Sequence, residues 1–138
     1  MDDDYLVVNG DTFLRYNVQA LSDFHANMHS TYSIVSVHIK VPERYGVLQF
    51  QDNRITEFFE KKYQNPGWIN AGHYMVNSNE FKCALKALGY DKETTFSLEA
   101  FLARFVECNN IYGFKVDTDF IDIGVPDDLK FARDSFKW

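Results

Sequence analysis

The first forty residues contain an apolar run, then a segment with helical spacing of its apolar residues, and then an alternating segment. Tyr5 to Asn9 is a short apolar run that ends in Gly10-Asp11, which is typical of a strand buried on both faces. Between Asn17 and His29 the apolar residues recur every three or four positions, which predicts an amphipathic helix. Tyr32 to Lys40 alternates and is rich in β-branched residues, which predicts a second strand. This order predicts a βαβ crossover and a parallel sheet.

The middle of the chain has the pattern of a hairpin followed by a longer strand. Tyr45 to Phe50 and Arg54 to Phe59 are short strand-like runs on either side of Asp52-Asn53, a favourable hairpin turn. Trp68 to Val76 predicts another strand, interrupted at Asn70-Ala71-Gly72.

The last part of the chain predicts helices that alternate with strands. Ser78-Asn79 caps a predicted helix that runs to Leu88, and Ser97 is a plausible cap for a helix within Thr95 to Phe105. Two strands and a final helix follow: Ile111 to Val116, Phe120 to Ile123, and a helix that starts near Pro126. Without an internal repeat or a linker, residues 1–138 are predicted to form a single mixed α/β domain.

Composition and charge narrow the class of protein. The 138 residues include 13 Phe and 8 Tyr, which is ample material for the core of one domain. Asp and Glu outnumber Lys and Arg by 20 to 14, which argues against nucleic acid or an anionic membrane as the main partner. No apolar run approaches the roughly 18 residues of a membrane span, and the start of the chain lacks the regions of a secretory signal. We therefore expect a cytoplasmic protein.

The cysteines and two of the histidines are residue types that can bind metals. Cys83 and Cys108 fit neither a zinc quartet nor a disulfide framework, so we expect reduced and mostly buried thiols. His25 and His29 have the i, i+4 spacing of a helical zinc pair, but no third ligand and no metalloprotease glutamate accompany them. A solvated helix face is therefore the favoured interpretation of this pair.

Two carboxylates at the ends of predicted strands are the main candidates for chemistry. Asp11 follows Gly10 at the edge where open α/β sheets bind ligands, although a turn-capping role fits its position equally well. Asp122 lies in an apolar strand, where a carboxylate is costly unless it is paired, caps the next helix or binds a cation. Together they could bind Mg²⁺, which typically takes one or two protein carboxylates.

Glu60-Lys61 ends the predicted hairpin and offers a second candidate site. Lys61 could contact a phosphate and Glu60 could accept hydrogen bonds from sugar hydroxyls, but most such pairs are solvated surface. The sequence contains no nucleophile elbow, P-loop or Gly-rich dinucleotide fingerprint.

Five segments, in this order, resemble motifs of the sugar-phosphate nucleotidylyltransferases, the enzymes that make nucleotide-activated sugars. They are Val8-Asn9-Gly10-Asp11-Thr12, Arg44-Tyr45-Gly46-Val47, Phe59-Glu60-Lys61, Ile69-Asn70-Ala71-Gly72-His73-Tyr74, and the segment from Phe120 to Asp128. Phe96-Ser97-Leu98-Glu99 and the Asp-Ile-Gly-Val-Pro ending most resemble the bacterial branch that guanylylates heptose or mannose 1-phosphate. The resemblance implies a partial doubly wound, Rossmann-like mixed sheet of the nucleotide-diphospho-sugar transferase type, with an inserted β-hairpin.

The resemblance also implies a reaction and roles for individual residues. A sugar 1-phosphate would attack the α-phosphate of a nucleoside triphosphate, with GTP favoured, and expel pyrophosphate; the nucleotide sugar would serve lipopolysaccharide or capsule synthesis. Mg²⁺ would be held by Asp11 and Asp122, while Lys61 neutralises the sugar phosphate and Glu60 holds sugar hydroxyls. The sugar pocket would be lined by the backbone at Gly46, Asn70, Ala71 and Gly72. His73 departs from the small or apolar residue expected there; it either contacts the sugar pocket or faces outward.

The family pattern begins with a strand and a loop of the form Gly-Gly-x-Gly-Thr-Arg-Leu, followed by Pro-Lys, which bind the triphosphate and base. Met1 to Asp4 contains no glycine and no cation. We therefore expect the chain to correspond to the carboxyl-terminal portion of such an enzyme and to be inactive alone. We also expect self-association or pairing with a complementing chain, because removing the first strand would expose a sheet edge.

Two other functions are alternatives for the same residues. One is a non-catalytic binding or assembly module with the same fold, which the four retained residues Asp11, Glu60, Lys61 and Asp122 disfavour. The other is a metal-dependent phosphohydrolase, which ranks low because no second metal cluster and no base to orient water are evident.

Overall fold

A six-stranded sheet and a separate two-stranded ribbon organise the protein in a computed structural model, which describes residues 3–42, 44–59, 65–106 and 110–135. The strands are β1 (Asp4–Val8), β2 (Thr12–Leu14), β3 (Tyr32–Ile39), β4 (Val47–Gln51), β5 (Arg54–Phe59), β6 (Gly67–Asn77), β7 (Ile111–Val116) and β8 (Phe120–Asp122). The helices are α1 (Val18–Asn27), α2 (Ser78–Ala87), α3 (Leu98–Phe105) and α4 (Pro126–Ser135).

The six-stranded sheet is mixed, with the order β1-β6-β3-β7-β5-β4. β3 and β7 pair in parallel, whereas β6 is antiparallel to both β1 and β3. β1 and β3 therefore run in the same direction, as the predicted βαβ crossover requires, but β6 lies between them, so the sheet is mixed rather than parallel throughout. The mixed α/β sheet with an inserted hairpin is confirmed, since β4 and β5 pair around the turn at Asp52-Asn53.

Apolar side chains cover the sheet on both faces because they alternate along each strand. In β3, Ile34 packs in a core that includes Phe101 of α3, whereas its neighbour Val35 packs in a second core with Leu21 of α1. All four side chains are fully buried. The two cores explain why helices lie on both sides of the sheet.

Polar side chains mark where three of the helices begin. Asn17, Asn77 and Ser97 each accept a hydrogen bond from the backbone three residues later, at 3.0, 3.1 and 3.3 Å. Ser97 is the predicted cap of α3, whereas α2 is capped by Asn77 rather than by the predicted Ser78-Asn79. None of the helices described is long and apolar enough to cross a membrane.

The first strand differs from the sequence prediction. β1 pairs with β6 along its whole length, but it lies at the edge of the sheet. Tyr5, Leu6, Val7 and Val8 are between 39% and 52% exposed, so the strand is not buried on both faces. An apolar run does not by itself distinguish a central strand from an edge strand, because burial depends on what packs beside it.

The predicted solvated helix face at His25 and His29 is wrong for His25. His25 is only 3% exposed, so it does not lie on a solvated face; its Nδ1 hydrogen-bonds Ser33 Oγ at 2.8 Å. His29 lies beyond the end of α1 and is exposed. No group of three or more His, Cys, Asp or Glu side chains among the described residues could hold a metal. Cys83 is exposed, contrary to expectation, and Cys108 lies outside the described residues.

The buried imidazole of His25 predicts a loss of stability in mild acid. Burial lowers the pKa of His25, while Asp4, 3.7 Å away, and Glu80 oppose this effect by attracting the charged form. The unfolded chain therefore takes up this proton more readily than the folded protein. We expect the free energy of unfolding to fall as the pH drops below about 6.5, as measured by urea denaturation between about pH 7.5 and 5.5.

The variant His25→Asn tests this origin, because asparagine can still bond Ser33 but does not titrate. Its stability should depend less on pH than that of the wild type, whereas the matched control His29→Asn should show the wild-type dependence. The same pH dependence in wild type and His25→Asn would contradict the assignment.

Candidate functional site

The two predicted acids come together on the ribbon formed by β2 and β8. The strands are antiparallel, with Thr12 opposite Asp122. The backbone N–H of Ile123 donates a 2.7 Å hydrogen bond to the carbonyl of Asp11. Backbone pairing thus holds Asp11 and Asp122 side by side, although they are far apart in sequence.

Gly124 shows how close the two carboxylates are. A β-carbon on Gly124 would lie 3.0 Å from Asp122 Oδ1 and 3.2 Å from Asp11 Oδ2. Because both oxygens lie so near one point, they cannot be further apart than about twice that distance. The backbone N–H of Gly124 also donates to Asp122 Oδ1 at 2.9 Å. The missing side chain of Gly124 therefore leaves space for both carboxylates.

This donor set suits a hard divalent cation. Asp11 is exposed and Asp122 is partly buried, so a cation could reach both from solvent. The described residues around them supply no third carboxylate, imidazole or thiolate within a metal-binding cluster. A cation bound here would complete its shell with water or substrate oxygens, as Mg²⁺ commonly does.

The segment leading to Asp11 is held against a bulge in β6. The N–H of Asn9 donates to the carbonyl of Gly72 at 2.9 Å. Gly72 has a φ of +78°, and its N–H donates to Asn70 Oδ1 at 2.8 Å. A β-carbon there would lie 2.6 Å from Asn9 Nδ2, so only glycine fits. β6 continues through this segment, which the sequence predicted as an interruption.

The other predicted contacts of this segment are constrained by its packing. Asn70 Nδ2 donates to the Tyr74 hydroxyl at 2.8 Å, so both ends of the Asn70 amide bond within β6. Ala71 is fully buried in the core that includes Leu21. The predicted pocket-lining role of residues 70–72 would therefore use mainly the backbone, and it stays a prediction.

The position of Gly46 is fixed by contacts that the two preceding residues make. A β-carbon on Gly46 would lie 3.3 Å from the carbonyl oxygen of Phe59. The ring of Tyr45 packs edge-on against Phe120 at 5.4 Å, and Arg44 forms a 2.6 Å ion pair with Asp128. These contacts join the segment before β4 to β8 and α4.

The arrangement around residues 44–46 has no local signal in the sequence. Asp128 could be recognised only as an acid in the first turn of a helix, since its partner Arg44 is 84 positions away. Glu60 and Lys61 lie outside the described residues, so their predicted roles stay predictions.

His73 is buried rather than outward-facing, with 7% of its surface exposed. Its Nδ1 and the Tyr16 hydroxyl are 2.9 Å apart, and the two rings meet edge-on with centroids 5.5 Å apart. Burial lowers the pKa of His73, and the Thr12 backbone partly opposes this effect. Tyr16 is absent from the predicted site because a partner 57 positions away cannot be recognised from spacing.

Comparisons with known proteins support one family. The family model described as "Nucleotidyl transferase" matches residues 1–136. The chain is 31% identical over 132 residues to D-glycero-alpha-D-manno-heptose 1-phosphate guanylyltransferase of Aneurinibacillus thermoaerophilus, covering 96% of this chain and 55% of that protein. It is 31% identical over 133 residues to mannose-1-phosphate guanyltransferase of Debaryomyces hansenii, covering 93% of this chain and 35% of that protein.

A solved structure has the same fold. The crystal structure of HddC from Yersinia pseudotuberculosis matches with a TM-score of 0.78 and 29% identity, covering 97% of this chain and 56% of that one. HddC has also been solved in complex with GMP-PN. The chain thus spans about half the length of these bacterial proteins and about a third of the mannose-1-phosphate guanyltransferase.

The substitution Gly72→Ala should destabilise the protein. It would force a side chain into a left-handed conformation and against Asn9, so we expect a loss of about 2 kcal/mol or more in the free energy of unfolding. The matched control is Gly10→Ala, where a β-carbon would meet nothing within 4 Å. Urea denaturation measures both, and equal stabilities for the two variants would contradict this account of the bulge.

Proposed function

This chain belongs to the nucleotidyl transferase family, and from that premise we propose that it acts in the transfer of a nucleoside monophosphate to a sugar 1-phosphate. The observation that carries the proposal is the convergence of Asp11 and Asp122 beside Gly124. The phosphate oxygen of the sugar attacks the α-phosphorus of a nucleoside triphosphate, the bond to the bridging oxygen breaks, and pyrophosphate leaves.

The substrates we propose follow from the relatives. Two of them are guanylyltransferases for heptose and mannose 1-phosphate, and the structural neighbour HddC has been solved with GMP-PN. GTP and a heptose or mannose 1-phosphate are therefore the favoured substrates. From the same resemblance we propose that the nucleotide sugar is made in the cytoplasm and used for lipopolysaccharide or capsule synthesis.

The charges of the chain and of its proposed substrates support a role for a cation. The protein carries a net charge of −6, and both substrates are anions. Mg²⁺ held by Asp11 and Asp122 would neutralise charge on the reacting phosphate. The ribbon supplies the geometry: backbone pairing fixes both acids, and Gly124 keeps the space between them open.

The remaining roles concern the sugar. Lys61 would neutralise its phosphate and Glu60 would accept hydrogen bonds from its hydroxyls. The backbone near Gly46 and the bulge at Gly72 would line the pocket. In this scheme the protein mainly binds and positions the reactants, which suits phosphoryl transfer.

Substitutions of the two acids test the metal site directly. We expect Asp11→Asn and Asp122→Asn each to raise the Kd for Mn²⁺, used as a spectroscopic substitute for Mg²⁺, by about tenfold or more, because each removes a charged ligand. Electron paramagnetic resonance of free Mn²⁺ measures this. Asp23→Asn, which removes an exposed charge on α1, is the matched control and should leave the Kd unchanged.

Gly124→Ala probes the same geometry without changing charge. Its methyl group would lie 3.0 and 3.2 Å from the two carboxylate oxygens and should also weaken Mn²⁺ binding, whereas Gly10→Ala should not. Wild-type affinity in both asparagine variants would refute the metal site and favour a non-catalytic module.

The exposed edge of β1 supports a further part of the proposal, which is association with a second copy. The edge lies beside an apolar cavity of about 380 Å³ lined by Tyr5, Val7, Val76, Phe81, Phe96 and Leu98. Antiparallel pairing of two β1 strands around a two-fold axis at Leu6 would place Tyr5 of one copy opposite Val7 of the other. Such pairing would satisfy the open edge and cover its apolar side chains.

Light scattering after size-exclusion chromatography tests this association. We expect a dimer for the wild type and a monomer for Leu6→Lys, since lysine on an edge strand opposes pairing. Val41→Lys, at another exposed apolar position, should remain dimeric. A monomeric wild type would refute pairing with a second copy. Binding of a different chain at β1 would show that the other chain covers the edge instead.

A further inference from the structure

The ribbon that carries both acids is not part of the six-stranded sheet. Among the described residues, β2 and β8 pair with each other and form a sheet of their own. Apart from the backbone hydrogen bond between Asn9 and Gly72 just before β2, side chains hold the ribbon against the main sheet. Leu14 contributes apolar contact, since it is buried in the core that includes Val35 of β3. Because apolar contact is not directional, it holds the ribbon close to the main sheet but does little to fix the ribbon's orientation.

A directional contact is made just beyond β2. The hydroxyl of Tyr16 lies 2.9 Å from Nδ1 of His73 in β6, and the rings meet at an interplanar angle of 71°. His73 is almost completely shielded from water, and Tyr16 is partly buried. This hydrogen bond is costly to break, because the imidazole of His73 would be left buried without this partner.

The geometry of this contact fits one tautomer of neutral His73. Burial raises the pKa of Tyr16, so its hydroxyl keeps its proton at neutral pH and can donate to Nδ1. Neutral His73 then carries its proton on Nε2. The Thr12 backbone favours the protonated ring, as a carbonyl near an imidazole N–H does. His73 Nε2 and Thr12 Oγ1 are both buried and complete no hydrogen bond with a described residue.

These contacts join the two halves of the proposed site. His73 follows Gly72, whose backbone we assign to the sugar pocket, and Thr12 follows Asp11. We propose that His73 and Tyr16 are positioning residues that hold the metal-binding ribbon in one orientation against the backbone of residues 70–72. This inference rests on the proposed function, and it gives a role to the residue that departs from the family pattern.

A positioning role has a consequence that distinguishes it from metal ligation. Asp11 and Asp122 both belong to the ribbon, so loosening the ribbon should leave their spacing and the Mn²⁺ affinity nearly unchanged. What should change is the distance from the bound ion to β6. Mn²⁺ reports that distance because it broadens the nuclear magnetic resonance signals of nearby amides.

The variant Tyr16→Phe removes only the hydroxyl. We expect its Mn²⁺ affinity to stay within about twofold of the wild type, while the broadening of the Gly72 amide signal falls by about twofold or more as the ribbon samples other orientations. The matched control is Tyr112→Phe, which removes a hydroxyl in β7, away from the ribbon. It should match the wild type in both measurements. Unchanged broadening in Tyr16→Phe would overturn the proposal.

Two substitutions of His73 separate the hydrogen bond from ring packing. His73→Asn keeps an acceptor near the position of Nδ1 and should retain most of the wild-type broadening at Gly72. His73→Leu keeps much of the volume but has no acceptor, and it should behave like Tyr16→Phe. Equal behaviour of the two variants would show that the acceptor is not what positions the ribbon.

A metal-free measurement distinguishes failure of this inference from failure of the proposed function. The ¹⁵N shifts of the His73 ring in the wild type should show the neutral form with its proton on Nε2, and Tyr16→Phe should lose that preference. If the His73 ring of the wild type shows no preference for the proton on Nε2, the positioning role is overturned, while the metal site is unaffected. Absence of Mn²⁺ binding alongside the expected shifts would instead refute the proposed metal site.

Discussion

The proximity of two carboxylates on a short ribbon is the constraint on which the proposed site depends. The carboxylate oxygens of Asp11 and Asp122 both lie within about 3.2 Å of one point beside Gly124, so a single cation placed near that point could contact both. The fold maintains their proximity through backbone pairing of β2 with β8, and Gly124 leaves the space between them open. In the proposed site, a divalent cation would be attracted by both carboxylates at once.

Local patterns in the sequence were sufficient for most of the secondary structure. The spacing of apolar residues located α1 and β3, and capping chemistry located the start of α3 at Ser97. Asp11 and Asp122 could be proposed as a pair because each follows or ends a short apolar run near glycine. These features depend on neighbours within a few positions, which is the range over which sequence patterns are informative.

Features that depend on distant contacts were not predictable in this way. The exposure of β1 depends on what lies beside its free edge, and the burial of His25 depends on its packing against β3. The contact between Tyr16 and His73 joins positions 57 residues apart, and Arg44 meets Asp128 across 84. Such pairs arise only when the sheet and ribbon assemble, so no local periodicity reveals them.

Anomalous diffraction from crystals of the protein soaked in Mn²⁺ tests whether Asp11 and Asp122 bind one divalent cation. We expect one strong peak within coordination distance, about 2.0–2.4 Å, of a carboxylate oxygen of Asp11 and one of Asp122, with water or phosphate in the other positions. A fully occupied ion elsewhere, with both carboxylates bonded only to protein or solvent, would contradict it.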